Sequence, residues 1–296
     1  MTTPTTSRQF LKELYQETQD DNILNGAAVL GFYLMLAIFP AMIFVLAIIP
    51  YLPIANVDQA IMDLLRQALP ASAADMFTGV VKEVTQEQRG GLLSFGLLAA
   101  LWATSTGMYA IMQQLNITYG VAEERGFLRA RLVAIALSLL FVVLVLGGFS
   151  LIVLGGQFQD WLGKRFDFDI ALLAFFTVFR WVIILAALML AFSLIYYMAP
   201  NVKQQFRFIT AGSVVGVGVL LVASLGFAWY TQGIGNYAAT YGSVGAVIVL
   251  MLWLFIAGLA ILFGSEVNVL IERRASGGKQ TAERVGGQSR RHAAAR

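Results

Sequence analysis

Cysteine is absent from the 296-residue chain, which excludes disulfides and thiolate metal sites. Histidine occurs once, at His292 in a charged C-terminal stretch, so no imidazole pair is available for a zinc or acid–base centre. Charge is scarce as well. Asp, Glu, Lys and Arg make up 12% of the residues, against about 25% in soluble domains. Between Arg207 and Glu266 none of the four occurs at all. A water-bathed surface cannot be built from so little charge.

Hydrophobic residues fill the gap, at 58% of the chain. Six apolar runs, at roughly 27–50, 91–116, 131–155, 171–198, 208–230 and 242–271, reach the ~20 residues that cross a hydrocarbon core. Backbone groups in lipid find no water, so runs of this length must be helices; a β-barrel would need short alternating segments. The sequence therefore predicts an all-α polytopic membrane protein with six transmembrane helices. The first run begins at Ala27 and leads into Pro50, which reads as a span and not as a cleaved signal.

Three parts follow. Residues 1–26 form a cytoplasmic interfacial segment, in which Phe10, Leu11, Leu14 and Tyr15 make one apolar helical stripe. Residues 27–272 form the membrane domain, with an external amphipathic helical hairpin at 52–90 between the first two spans; Pro70 ends its first helix. Residues 273–296 form a basic tail for which disorder is expected. Such juxtamembrane cations meet anionic lipid headgroups, so lipid and not nucleic acid is the expected partner of the tail.

Several stretches carry a family resemblance. They are AAVLGFYLMLAIFP (27–40), LWATSTGMYAIMQQLNITYGVAEERGFLRARL (101–132), YYMAPN (196–201) and YGSVGAVIVLMLWLF…GSEVNVLIE (241–272). In this order they resemble the YihY/BrkB family, some of whose members carry the labels virulence factor BrkB or ribonuclease BN. The resemblance covers about residues 8–272. It implies a six-helix fold in a bacterial inner membrane and supplies no settled activity.

Polar groups inside the spans are few enough to take singly. Glu266 lies about five residues from the end of the last run, or ~7 Å along a helix. It is expected to pair with Arg125, Arg129 or Arg131 in the loop after the second span; a proton or headgroup site lining a cavity is the alternative. Asn116 closes the second span beside Glu123 and Glu124 and could join such a network, whereas Asn268 faces away from Glu266. Thr104 and Ser105 sit near mid-membrane, where hydroxyls bond back to the preceding turn. Arg180 is expected to snorkel to the outer interface beside Trp181, with an inward-facing charge as the alternative. Small residues spaced by four (Ala99, Ala103 and Gly107; Gly212 and Gly216; Ala260 and Gly264) mark seams for close helix packing.

Chemistry is harder to find. No Walker A loop, nucleophile elbow, zinc motif or spaced ligand set occurs, so no catalytic residue, metal or cofactor is assigned and a nuclease is not expected. Two function classes remain open. One is a transporter or lipid-handling protein whose pathway would take an amphipathic envelope lipid; the other is a membrane scaffold or envelope-interaction protein that moves nothing.

Orientation follows from Lys and Arg. The N-terminus, the loops around 125–131 and 203–207, and the tail hold fourteen of them; the opposite side holds five, namely Arg66, Lys82, Arg89, Lys164 and Arg165. Both termini are therefore expected in the cytoplasm. Single cysteines placed at Gln86 and Ser276 test this. An impermeant thiol reagent added outside should label only position 86, and labelling at 276 would refute the arrangement.

Overall fold

The computed structural model describes residues 7–48, 90–166, 170–202, 204–233 and 237–275. All its regular elements there are helices: α1 (Ser7–Asp20), α2 (Ile23–Ile48), α3 (Gly90–Thr118), α4 (Phe127–Phe166), α5 (Ile170–Met198), α6 (Ala211–Gly233) and α7 (Tyr237–Ala275). Five of them are long and apolar enough to cross a membrane, and the bent pair α1–α2 makes a sixth if counted as one span. The external hairpin expected at 52–90 lies outside the described residues, apart from Gly90, and so does the tail from 276.

The helices follow the apolar runs but overrun them. α4 continues eleven residues past the expected end at 155, and α7 starts five residues before 242. α7 also carries Arg273 and Arg274, the expected first residues of the tail, in its last turn. A helical end keeps its backbone bonded internally, so a helix does not stop where hydrophobicity stops.

Two compact units are distinguished. One is built from Met1–Asp21, Met112–Gly218 and Ile261–Arg296, the other from Asn22–Ile111 and Val219–Ala260. In the second unit α2 approaches α7 backbone to backbone. A Cβ on Gly31 would stand 3.2 Å from the Phe255 nitrogen, and one on Gly258 would stand 3.2 Å from the Ala27 oxygen. Neither glycine belongs to the seams anticipated from sequence. Thr104 and Ser105 lie in this unit, and their hydroxyls bond to the carbonyls of Ala100 and Trp102 as expected. They are satisfied by their own helix.

The first unit joins α6 to α7 through the anticipated small residues. Gly212 and Gly264 sit so close that a Cβ on either would collide with the other's carbonyl oxygen, and a Cβ on Gly216 would meet the Phe192 ring at 2.8 Å. The Tyr196 hydroxyl is buried in the same seam and donates to the Ile261 carbonyl at 2.8 Å. Overpacking such a contact costs about 1–3 kcal/mol per inserted methyl.

Packing also fixes α1. Leu14 is buried against Val267 and Leu270, with Phe10, Val215 and Phe263 around them. Leu11 and Tyr15, on the same apolar stripe, remain 64% and 67% exposed. Two ion pairs reinforce the contact: Arg273 to Glu17 at 2.6 Å and Arg274 to Glu13 at 2.5 Å. The Arg274 guanidinium also lies 4.8 Å from the Phe10 ring centre. α1 is thus docked on the end of α7 by both its apolar and its acidic residues.

Candidate functional site

Two polar assemblies occupy the first unit. The first is a network built on helix termini. α3 ends in a Schellman motif: Gly120 takes a left-handed φ of 62°, its N–H bonds the Ile117 carbonyl, and the Val121 N–H reaches back to Asn116. The reversal leaves the buried Asn116 side chain facing the loop. Its amide donates to Glu123 at 3.0 Å and its oxygen accepts the Asn201 N–H at 2.7 Å.

Arg125 completes this network. Its guanidinium meets both Glu123 oxygens at 2.7 Å and also donates to the carbonyls of Met198 and Ala199 at 3.3 and 2.7 Å. Gln204 covers the Tyr196 and Tyr197 carbonyls, and Ile195 accepts from the Ala199 N–H. The end of α5 therefore leaves no orphan carbonyl, and a cation sits where the helix dipole favours one. Burial raises the affinity of Glu123 for a proton, but hydrogen bonds from Arg125 and Asn116 outweigh it and hold the carboxyl below its ordinary range.

The second assembly contains Glu266. This residue is 1% exposed, and neither of its carboxylate oxygens accepts a hydrogen bond. The expected pairing with a loop arginine does not occur. Arg125 is committed to Glu123, two residues away, and to the end of α5; none of the three arginines donates to Glu266, and Arg129 is exposed. Glu266 instead faces two more acids from α1 and the break after it. One carboxylate oxygen each from Glu17, Asp21 and Glu266 lie within 4.8 Å of one another. The Asp21 Oδ2 is likewise buried without a hydrogen-bond partner. At such spacing two like charges repel by roughly 3–4 kcal/mol even at an effective dielectric of 20.

The other anticipated residues fall elsewhere. Asn268 points to α6, where its oxygen accepts the Gly212 N–H at 2.7 Å and fills one of the donors left free at a helix start. Thr210 and Ser213 cap the same end reciprocally. Beside Glu266, the Ser265 hydroxyl bonds Thr118 at 2.7 Å. Arg180 lies in α5 with Nε and Nη1 buried and without a hydrogen bond among the described residues.

Sequence reading missed Glu17 and Asp21, although a signal was present. Glu13, Glu17 and Asp21 recur every four residues, which gathers two acids on one face of α1 and a third one turn on, just past its end, facing Arg273, Arg274 and Glu266.

Helices of this length and composition, with an acid held inside one of them, define a multi-pass membrane protein with a buried acidic centre. The chain belongs to the family described as Virulence factor BrkB, which it matches over residues 14–288. It is 36% identical over 270 residues to the putative ribonuclease-like protein YfkH of Bacillus subtilis, covering 90% of this chain and 96% of that one. It is 28% identical over 254 residues to a UPF0761 membrane protein of Alkalilimnicola ehrlichii, covering 83% of this chain and 54% of that one. It is also 25% identical over 273 residues to the UPF0761 membrane protein VP0125 of Vibrio parahaemolyticus, covering 88% and 82% of the two chains. No solved structure matches the chain.

The Arg125 network predicts a stability hierarchy. Arg125→Gln breaks a mostly buried ion pair and uncaps α5, so it should cost about 3–5 kcal/mol in detergent, while Arg129→Gln should stay within about 0.5. Because the folded-state value of Glu123 is depressed, its stabilising contribution is complete above the ordinary 4.5 and fades as pH falls below that. Melting temperatures of wild type and Glu123→Gln should therefore converge on acidification from pH 6 to 3. A gap that widens would contradict the network.

Proposed function

We propose that the protein is a non-enzymatic, six-span protein of the bacterial inner membrane, with both termini in the cytoplasm, that moves or handles an amphipathic lipid of the cell envelope. One observation carries the reading: Glu266, fully buried in a spanning helix, holds two unsatisfied carboxylate oxygens. Insertion scales put the cost of an acid at about 2.5–3.5 kcal/mol at mid-span and less toward the span end where Glu266 lies, and a purely structural role would be served better by an apolar residue. Retention of such a group is the ordinary mark of an ion or substrate pathway. The five residues that follow it are also uncharged, so the acid is not part of a hydrophilic helix end.

An enzyme acting on nucleic acid is a poorer fit. Glu266 is buried at 1% exposure, where a polyanion as large as RNA has no approach, and the one histidine is remote in sequence. The YfkH name attaches to that protein and supplies no residue here.

Reconstitution tests the proposal. Full-length protein in liposomes holding a trace of headgroup-labelled phospholipid should speed transfer of label to the outer leaflet, read by dithionite bleaching. Glu266→Gln, folded by the criterion of an unchanged elution profile, should lower the rate about tenfold or more. Wild-type liposomes that bleach like protein-free ones would overturn lipid movement and leave the scaffold role standing.

A further inference from the structure

We infer that Glu17, Asp21 and Glu266 form a binding site for one hard divalent cation of the Mg²⁺, Ca²⁺ or Mn²⁺ class, held between α1 and α7. The three carboxylates converge, each offering one oxygen within 4.8 Å of the other two. Convergence of acids alone would be a weak argument. The second observation is the state of Glu266: it is 1% exposed, aimed into the cluster, and neither oxygen has a donor. Buried polar atoms are nearly always satisfied. A proton shared between Asp21 and Glu266 would satisfy one oxygen of each, whereas a cation held by all three carboxylates also serves Glu17 and the second Glu266 oxygen.

Charge narrows the ligand. Bound to a metal as carboxylates, Glu17, Asp21 and Glu266 would contribute three negative charges, and the one guanidinium in the cluster, Arg273, bonds Glu17 at 2.6 Å. Two negative charges remain, the number a divalent ion neutralises. Arg274 does not alter this balance, since it pairs with Glu13. The donors are all carboxylate oxygens, with no cysteine in the chain and its one histidine at position 292, which favours hard cations over zinc or copper. Glu17 and Asp21 are one helical turn apart, so a single ion can engage both while bridging to Glu266. Bound there, the ion would add a third fastening between α1 and α7 beside the two ion pairs. The inference concerns binding and stands whether or not any lipid is moved.

The test uses full-length protein in detergent, stripped with EDTA and titrated with Mn²⁺ while the free-ion electron paramagnetic resonance signal is followed. Wild type should bind one Mn²⁺ per chain saturably, with Mg²⁺ or Ca²⁺ competing, and its melting temperature should rise with occupancy. Asp21→Asn and Glu266→Gln should each weaken binding about tenfold or more and remove the cation-dependent rise. Glu124→Gln, at an exposed acid of the loop, should leave both unchanged. Should either variant fail to fold, the wild-type titration decides alone, because the absence of a one-per-chain class overturns the site. Binding that survives both substitutions also overturns it, by placing the ion on other acids.

Discussion

A carboxylate removed from water has to be compensated, and in this protein the residue with that requirement is Glu266. Its position in α7 is surrounded by contacts that leave it no room to turn away. Ser265 is tied to Thr118, Asn268 to the first turn of α6, and Gly264 lies against the backbone of Gly212. Each contact fixes the rotation of α7, and that rotation aims Glu266 at α1. The docking of α1 follows from the same geometry, because Leu14 packs on Val267 and Leu270, one and four residues beyond the acid. The apolar contact and the two arginine pairs hold Glu17 and Asp21 in place despite their mutual repulsion. An N-terminal helix that looks peripheral in sequence thereby becomes part of the acidic centre.

The Arg125 network answers a different physical demand. α5 ends beside Pro200, which cannot continue it, and its last carbonyls would otherwise be left without donors. Arg125 and Gln204 supply them, while Glu123 and Asn116 hold the arginine in position. This explains why the loop arginines do not serve Glu266. Three arginines near a lone acid suggested a bridge, but the nearest acid in sequence and an open helix end together claim the best-placed one.

What was legible in the sequence was whatever depends on one helix at a time. The spans, the back-bonding of Thr104 and Ser105, and the small-residue faces at Gly212, Gly216 and Gly264 all follow from local pattern. What failed was pairing between elements distant in the chain. Position 266 meets 17 and 21, and 125 meets 198 and 199, contacts that no periodicity specifies. The close approach of Gly31 to Phe255 was legible too, since Ala27 and Gly31 share the spacing of four that marks the other seams, and Ala27 faces Gly258. The recurrence of acids at 13, 17 and 21 is visible in the sequence, but an acid repeat on an amphipathic helix normally faces water, and only the partner at position 266 gives it another role.

An experimental structure of the full chain in a lipid bilayer, determined with Mn²⁺ present and analysed by anomalous scattering, tests the central claim most directly. The account predicts the Glu266 carboxylate facing Glu17 and Asp21, with an anomalous peak among the three. A Glu266 side chain turned instead to Arg125, Arg129 or Arg131, with no peak at the cluster, would contradict it.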